Sequence, residues 1–140
     1  MGSLSGMGVA MARIEVPISV GELVDKVTIL EIKSEKIPDA GKRANIRREL
    51  DALTSVLAPL LTATPALAQL KTELRAINET LWRIEDDIRD CERRRDFGTS
   101  FVELARSVYQ TNDRRAATKR KIDELTGSEL VEEKSYAPYD

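Results

Sequence analysis

The chain contains no histidine and a single cysteine. Without histidine, Ser-His-Asp and Cys-His nucleophile systems are excluded, as are zinc sites with histidine ligands. Cys91 cannot close a disulfide within the chain. It falls on an apolar stripe, where a buried reduced thiol in a cytoplasmic protein is the expectation. A catalytic thiol needs an activating base, and the usual one is missing. Aromatic residues are scarce as well: with two Phe, three Tyr and one Trp, aliphatic side chains must supply the core. No apolar run approaches bilayer-spanning length, so no membrane association is expected. Neither sign of charge dominates. A net charge of −2 gives no global attraction to nucleic acid or to an anionic surface. Internal repeats, low-complexity tracts and domain linkers are also missing, and 140 residues suit one domain. Met1 to Arg13 has neither the basic start nor the continuous apolar core of a signal peptide. Residues 1–13 are expected to be a flexible leader, with Met7 or Met11 as candidate starts.

What the chain does have is helical periodicity. Leu67, Leu70, Leu74, Ile77, Leu81, Ile84, Ile88 and Cys91 alternate in steps of three and four. That is the a/d repeat of a helix packed along another, as in a coiled coil, and it lacks the period of two that a strand needs. Thr64-Pro65 reads as an N-cap followed by a first-turn proline, so this helix is expected to begin there and run to about Arg95. Its length would be roughly 45 Å at ~1.5 Å per residue.

Upstream, Ile14, Val16 and Ile18 alternate around Pro17 and suggest an extended arm lying on the bundle. Ser19-Val20-Gly21-Glu22 fits a capping box that opens a helix ending near Ile37, before Pro38. Val20, Leu23, Val27 and Leu30 give it a stripe that Val24, Ile29, Ile32 and Ile37 widen, which suggests more than one neighbour. Asp39 suits the cap of a second helix carrying Ile46, Leu50, Leu53, Leu57 and Leu60. Lys42, Arg43, Arg47 and Arg48 stand near its start, the unfavourable end for positive charge. Pro59 should end or kink it, with Thr62-Ala63-Thr64 as the connection. After Gly98, Ser100-Phe101-Val102-Glu103 is a second capping-box pattern, and the last helix runs to about Thr126 with Gly127 as its stop. The expected architecture is therefore all-α: an antiparallel helical bundle of four main helices built on a hairpin of the third and fourth. Residues 14–127 form the domain, and 128–140 an acidic tail that either folds over the bundle or stays mobile.

The repeat in the fourth helix is Phe101, Leu104, Val108, Thr111, Arg115, Thr118, Ile122 and Leu125, polar only in its middle. In a hairpin closed near Gly98, that interruption faces the Leu81 to Glu85 region. Asn112, Asp113, Arg114 and Arg115 thus become candidate site residues, with Glu85, Asp25 and Lys26 as candidate partners. Arg115 either snorkels to water, forms a buried pair with Glu85 or Asp25, or joins Arg114 as an anion-binding fork. Asp86, Asp87 and Asp90 are carboxylates of the kind that hold Mg²⁺, but neighbouring arginines favour a solvated face, and no metal site is assigned. The basic run from Arg114 to Lys121 lacks interleaved aromatics, which disfavours nucleic acid. Trp82 and Tyr109 read as packing residues.

Four segments together resemble an uncharacterised family of small bacterial helical proteins, a domain of unknown function. They are SVGELVDKVTILEIKSEKI from Ser19, NETLWRIEDDIR from Asn78, ELARSVYQTNDRRA from Glu103 and GSELVEEKSY from Gly127. The resemblance implies a bacterial cytoplasmic protein and a complete family domain; it supplies no activity, cofactor, substrate or partner. On the residues themselves, the leading expectation is a helical interaction or assembly protein, a homo-oligomer or the partner of another protein. The alternative is a small all-helical enzyme or binder of an anionic metabolite. Metal-dependent nucleotide pyrophosphohydrolysis ranks last, because Glu22-x-x-Asp25 and Asp87-x-x-Asp90 only partly supply the paired carboxylate motifs it uses.

Overall fold

Ser19 starts the first helix by accepting a hydrogen bond from the Glu22 amide at 3.1 Å, satisfying one donor that every helix start leaves open. The computed structural model describes residues 12–139, and among them there are four α-helices and no strand. These are α1 (Val20–Lys36), α2 (Ala40–Ala63), α3 (Leu67–Arg93) and α4 (Thr99–Thr126). The leader expected over 1–13 lies outside the described residues except for its last two. The arm that follows does not lie on the bundle: Ile14 and Val16 are 87% and 66% exposed.

Three expected helix ends are corrected. Pro59 neither stops nor shortens α2, which continues to Ala63. The proline ring sits on the exposed face, while buried Leu57 holds the other face in the core. Thr64 does not cap α3 with its hydroxyl; its backbone closes α2 through a bond to the Leu60 carbonyl, and α3 starts at Leu67 without a side-chain cap. Ser100 lies inside α4, whose start at Gly98 also lacks a side-chain cap.

The C-terminal ends of α3 and α4 share one device. At each, an amide reaches back to a carbonyl five residues earlier, Asp96 to Cys91 and Ser128 to Asp123, both at 2.9 Å. The residue between must be left-handed. Gly127 supplies that at φ 63° without strain, whereas Arg95 adopts φ 55° with a side chain present. Arg95→Gly is therefore expected to raise stability by up to about 1 kcal/mol in urea denaturation.

α3 and α4 fold back on each other through residues 94–98 and form the most extensive pairing of the molecule. α1 lies across them. Its first turns meet the C-terminal half of α4, and its last turns reach α3, where Glu31 pairs with Lys71 at 3.0 Å and Arg75 at 3.4 Å. α2 packs on α1 and hardly touches α3. The core accordingly gathers at one end of the hairpin, from Leu23, Val24, Val27, Leu57, Leu67, Leu74 and Ile122. Beyond it the hairpin continues as a two-helix stem. Residues 128–139 take the first of the two courses open to them and return along α4. Glu133 pairs with Arg120 at 2.9 Å, and the Tyr139 ring meets that of Tyr109 edge-on at 5.2 Å. No helix among the described residues is long and apolar enough to cross a membrane.

Candidate functional site

Because α1 is wedged between neighbours, it buries most of its circumference, and Asp25 is carried inside with only 1% exposure. An isolated carboxylate there would be prohibitively costly. Arg115 of α4 answers it as a fork, Nε to Oδ1 at 2.9 Å and Nη2 to Oδ2 at 2.5 Å. Asn78 of α3 donates to the same Oδ1 and to the Thr28 hydroxyl, each at 3.0 Å. Thr28 in turn donates to the Asp25 carbonyl at 2.8 Å. Burial pushes the Asp25 carboxyl up, but the bonds from Arg115 and Asn78 more than reverse this and hold it below its ordinary 3.8. The same fork raises the Arg115 guanidinium against the opposing effect of burial.

One turn further along α4, Lys119 is almost enclosed. Its ammonium donates to Glu22 at 2.7 Å and to Glu132 of the returning tail at 3.3 Å. Burial would lower it; Glu22 and the surrounding carboxylates lift it above its ordinary value instead. A turn beyond, Asp123 accepts from the Gly21 amide at 2.6 Å. Burial leaves this carboxyl above 3.8, the amide bond only partly compensating. Residues 115, 119 and 123 thus form one i, i+4 stripe of α4 against the first turns of α1. Ser128 closes the corner by accepting from the Val20 amide at 3.2 Å.

Residues 14–139 match the model of the family of unknown function DUF6165. The chain belongs to that family. Neither a curated protein nor a solved structure matches it. The DUF6165 match takes in α1 to α4 and the returning tail, so every residue of the polar stripe lies inside it.

In this DUF6165 chain, two of the residues singled out by sequence, Asp25 and Arg115, meet directly. Asn112 stands beside them, its side-chain Oδ1 accepting from Arg115 Nη1 at 3.4 Å. Glu85 is not bonded to Arg115; it lines the same cleft but is exposed and pairs with Arg89 at 2.6 Å. Arg114 does not join Arg115 in a fork, because adjacent helical residues point about 100° apart, and it is exposed. Asp113 and Lys26 are likewise exposed. The sequence patterns left Asn78, Gly21, Lys119, Asp123 and Glu132 unassigned to this network. Glu22 belongs to it too: only the Ser19 half of the expected capping box forms, and the Glu22 carboxylate turns to Lys119.

Two clefts meet at Arg115. One, of about 470 Å³, lies where α1 leaves the hairpin stem and is lined by Ile29, Ile32, Leu81, Trp82 and Val108. The other, about 950 Å³, is roofed by the tail and includes Tyr109, Lys119, Glu132, Lys134 and Tyr136. Among the described residues, no three carboxylates or thiols are grouped to hold a metal ion.

Proposed function

We propose that this chain is a helical assembly protein that pairs with a second copy through the stem of its α3–α4 hairpin. The observation that carries the proposal is the stem's unfinished packing. Past Asn78, α1 reaches the stem only through Ile29 and Ile32 at the cleft and the tail only near Val108 and Tyr109, and Leu81, Trp82, Ile88, Leu104 and Val108 remain half-buried. Near the tip, Phe97 is 50% and Val102 49% exposed. A continuing apolar seam with one face uncovered is the surface on which helices dimerise. Charge favours a twofold antiparallel match. Glu85, Asp86 and Asp87 of α3 precede Arg93 at its last turn and Arg94 and Arg95 just past it, so in such a match the acidic segment of one copy faces the basic segment of the other.

Sedimentation equilibrium tests this. Wild type is expected to be a dimer at micromolar concentration and Trp82→Ser a monomer with unchanged helical circular dichroism. A wild-type monomer at high concentration overturns the proposal. The alternative, a binder of an anionic metabolite, draws on the cleft beneath the tail. Its cations, however, are already matched, Lys119 by Glu22 and Glu132 and Arg115 by Asp25, which favours assembly. The same commitments take Glu22 and Asp25 away from metal-dependent pyrophosphohydrolysis.

A further inference from the structure

Ser128 is the last residue that the helices hold by the backbone. Its amide donates to the Asp123 carbonyl at 2.9 Å, and its hydroxyl accepts from the Val20 amide at 3.2 Å. From Glu129 to Pro138 no backbone group bonds to a helix, and every residue is exposed. The tail nevertheless returns along α4, held by side chains. Glu132 accepts from Lys119 at 3.3 Å and Glu133 from Arg120 at 2.9 Å, and the Tyr139 ring closes on Tyr109. Other contacts are internal to the tail. Lys134 lies 3.8 Å from Glu132 and 5.6 Å over the Tyr136 ring, so these groups travel together and do nothing to hold the segment down. Nor does the tail fill the space it covers. It roofs the cleft of about 950 Å³ whose wall on α4 carries Tyr109, Asn112, Arg115 and Lys119.

How firmly the tail is held depends on what its departure leaves behind. Lys119 keeps Glu22 at 2.7 Å, and Arg120 keeps Glu124, one turn along α4, at 3.6 Å. Both cations that grip the tail thus have a second partner on the helices. Glu132 and Glu133 are already 44% and 72% exposed and return to water. No buried charge is orphaned, in contrast to Asp25 were it to lose Arg115. What resists departure is one ring contact and two ion pairs at the water boundary, which are individually weak and screened by salt.

We infer that residues 129–139 are a strap, hinged after Ser128 and latched by charge, that opens and closes over the Arg115–Lys119 cleft while the four helices stay in place. Closed, it sets a second carboxylate on the Lys119 ammonium and covers the cleft. Open, it leaves that ammonium with Glu22 alone and bares the cleft wall to solvent. Ionic strength shifts the balance between the two states. The device does not depend on whether two copies pair through the stem.

Nuclear magnetic resonance and limited proteolysis of the full chain test it. Tyr136 lies between the latch and the Tyr139 contact, so chymotrypsin cleavage after it reports the open strap. At about 50 mM salt, wild type is expected to show Overhauser contacts between the Tyr109 and Tyr139 rings and slow cleavage; at about 1 M the contacts should fade. Glu132→Gln/Glu133→Gln is expected to lose the contacts at low salt and to be cleaved roughly tenfold faster, with helical circular dichroism and melting temperature unchanged. Glu129→Gln, which alters a tail carboxylate in no ion pair among the described residues, should behave as wild type does. Ring contacts absent at low salt, or indifferent to salt, overturn the inference. So does a double variant cleaved no faster than wild type, or a Glu129→Gln variant cleaved as fast as the double one. A lower melting temperature in the double variant also overturns it, because the tail would then be part of the folded core.

Discussion

Replacing Arg115 by methionine is expected to cost about 3 kcal/mol of folding stability at neutral pH, the lower part of the range for breaking a buried ion pair. The lower part applies because Arg115 keeps 30% of its side chain exposed, although Asp25 keeps only 1%. Methionine fills much of the space of the arginine stem, so little of the loss comes from a cavity. What it leaves is a buried carboxylate with Asn78 as its remaining side-chain donor. The pH dependence separates this cause from simple loss of packing. In wild type the folded carboxyl sits below 3.8, so its contribution is complete above the unfolded value and is lost as pH falls through the lower folded one. In Arg115→Met, burial acts without the guanidinium and raises the folded carboxyl above the unfolded one. Acidification then protonates Asp25 and relieves the variant while it weakens wild type. Urea denaturation at about pH 7 and about pH 4 should therefore show the gap between them narrowing. Asp25→Asn/Arg115→Met should recover part of the loss, because no uncompensated charge remains. A methionine variant as stable as wild type would mean that Arg115 is simply hydrated.

The second large effect is expected from a single methyl group. In Gly21→Ala the new Cβ would stand 2.5 Å from the Lys119 carbonyl oxygen and 2.9 Å from Asp123 Oδ1. Backbone on α4 cannot swing aside as a side chain can, so α1 and α4 must separate. That stretches the bond from the Gly21 amide to Asp123, and the carboxylate then stands buried without its donor. Alanine is the better helix former by up to about 1 kcal/mol. Overpacking costs about 1–3 kcal/mol, and an orphaned buried acceptor about as much again. The clash wins, and a net loss of about 2–4 kcal/mol is expected in chemical denaturation. An alanine variant at least as stable as wild type would refute the close approach of α1 to α4.

How far these sites were legible in the sequence follows from what each depends on. The helices of the hairpin announce themselves because apolar spacing depends on nothing beyond the helix itself. Arg115 was visible as a polar residue on an otherwise apolar seam. Asp25 was visible among apolar neighbours on a helix too apolar to have a free side. Their pairing still needed the oblique course of α1, which no spacing encodes. Gly21 was hidden because it sits within a capping pattern that already accounts for it. Asn78 follows Ile77 directly, and periodicity assigns the seam to the larger apolar side chain although the amide is only 5% exposed. Lys119 looked like one member of a basic run, since its neighbours Arg120 and Lys121 are exposed. Pro59 misled for a related reason: its effect depends on which face of α2 meets water.

Val20 and Gly21 are fastened to Ser128 and Asp123, partners more than a hundred residues away. A growing polypeptide leaves the ribosome from its N-terminal end, so α1 emerges long before the helix that completes its surroundings. Until then Asp25 has neither its fork nor its cover. Synthesis must therefore pass residue 128 before this domain can lock, and a chain stalled earlier would present α1 to chaperones with its apolar faces bare.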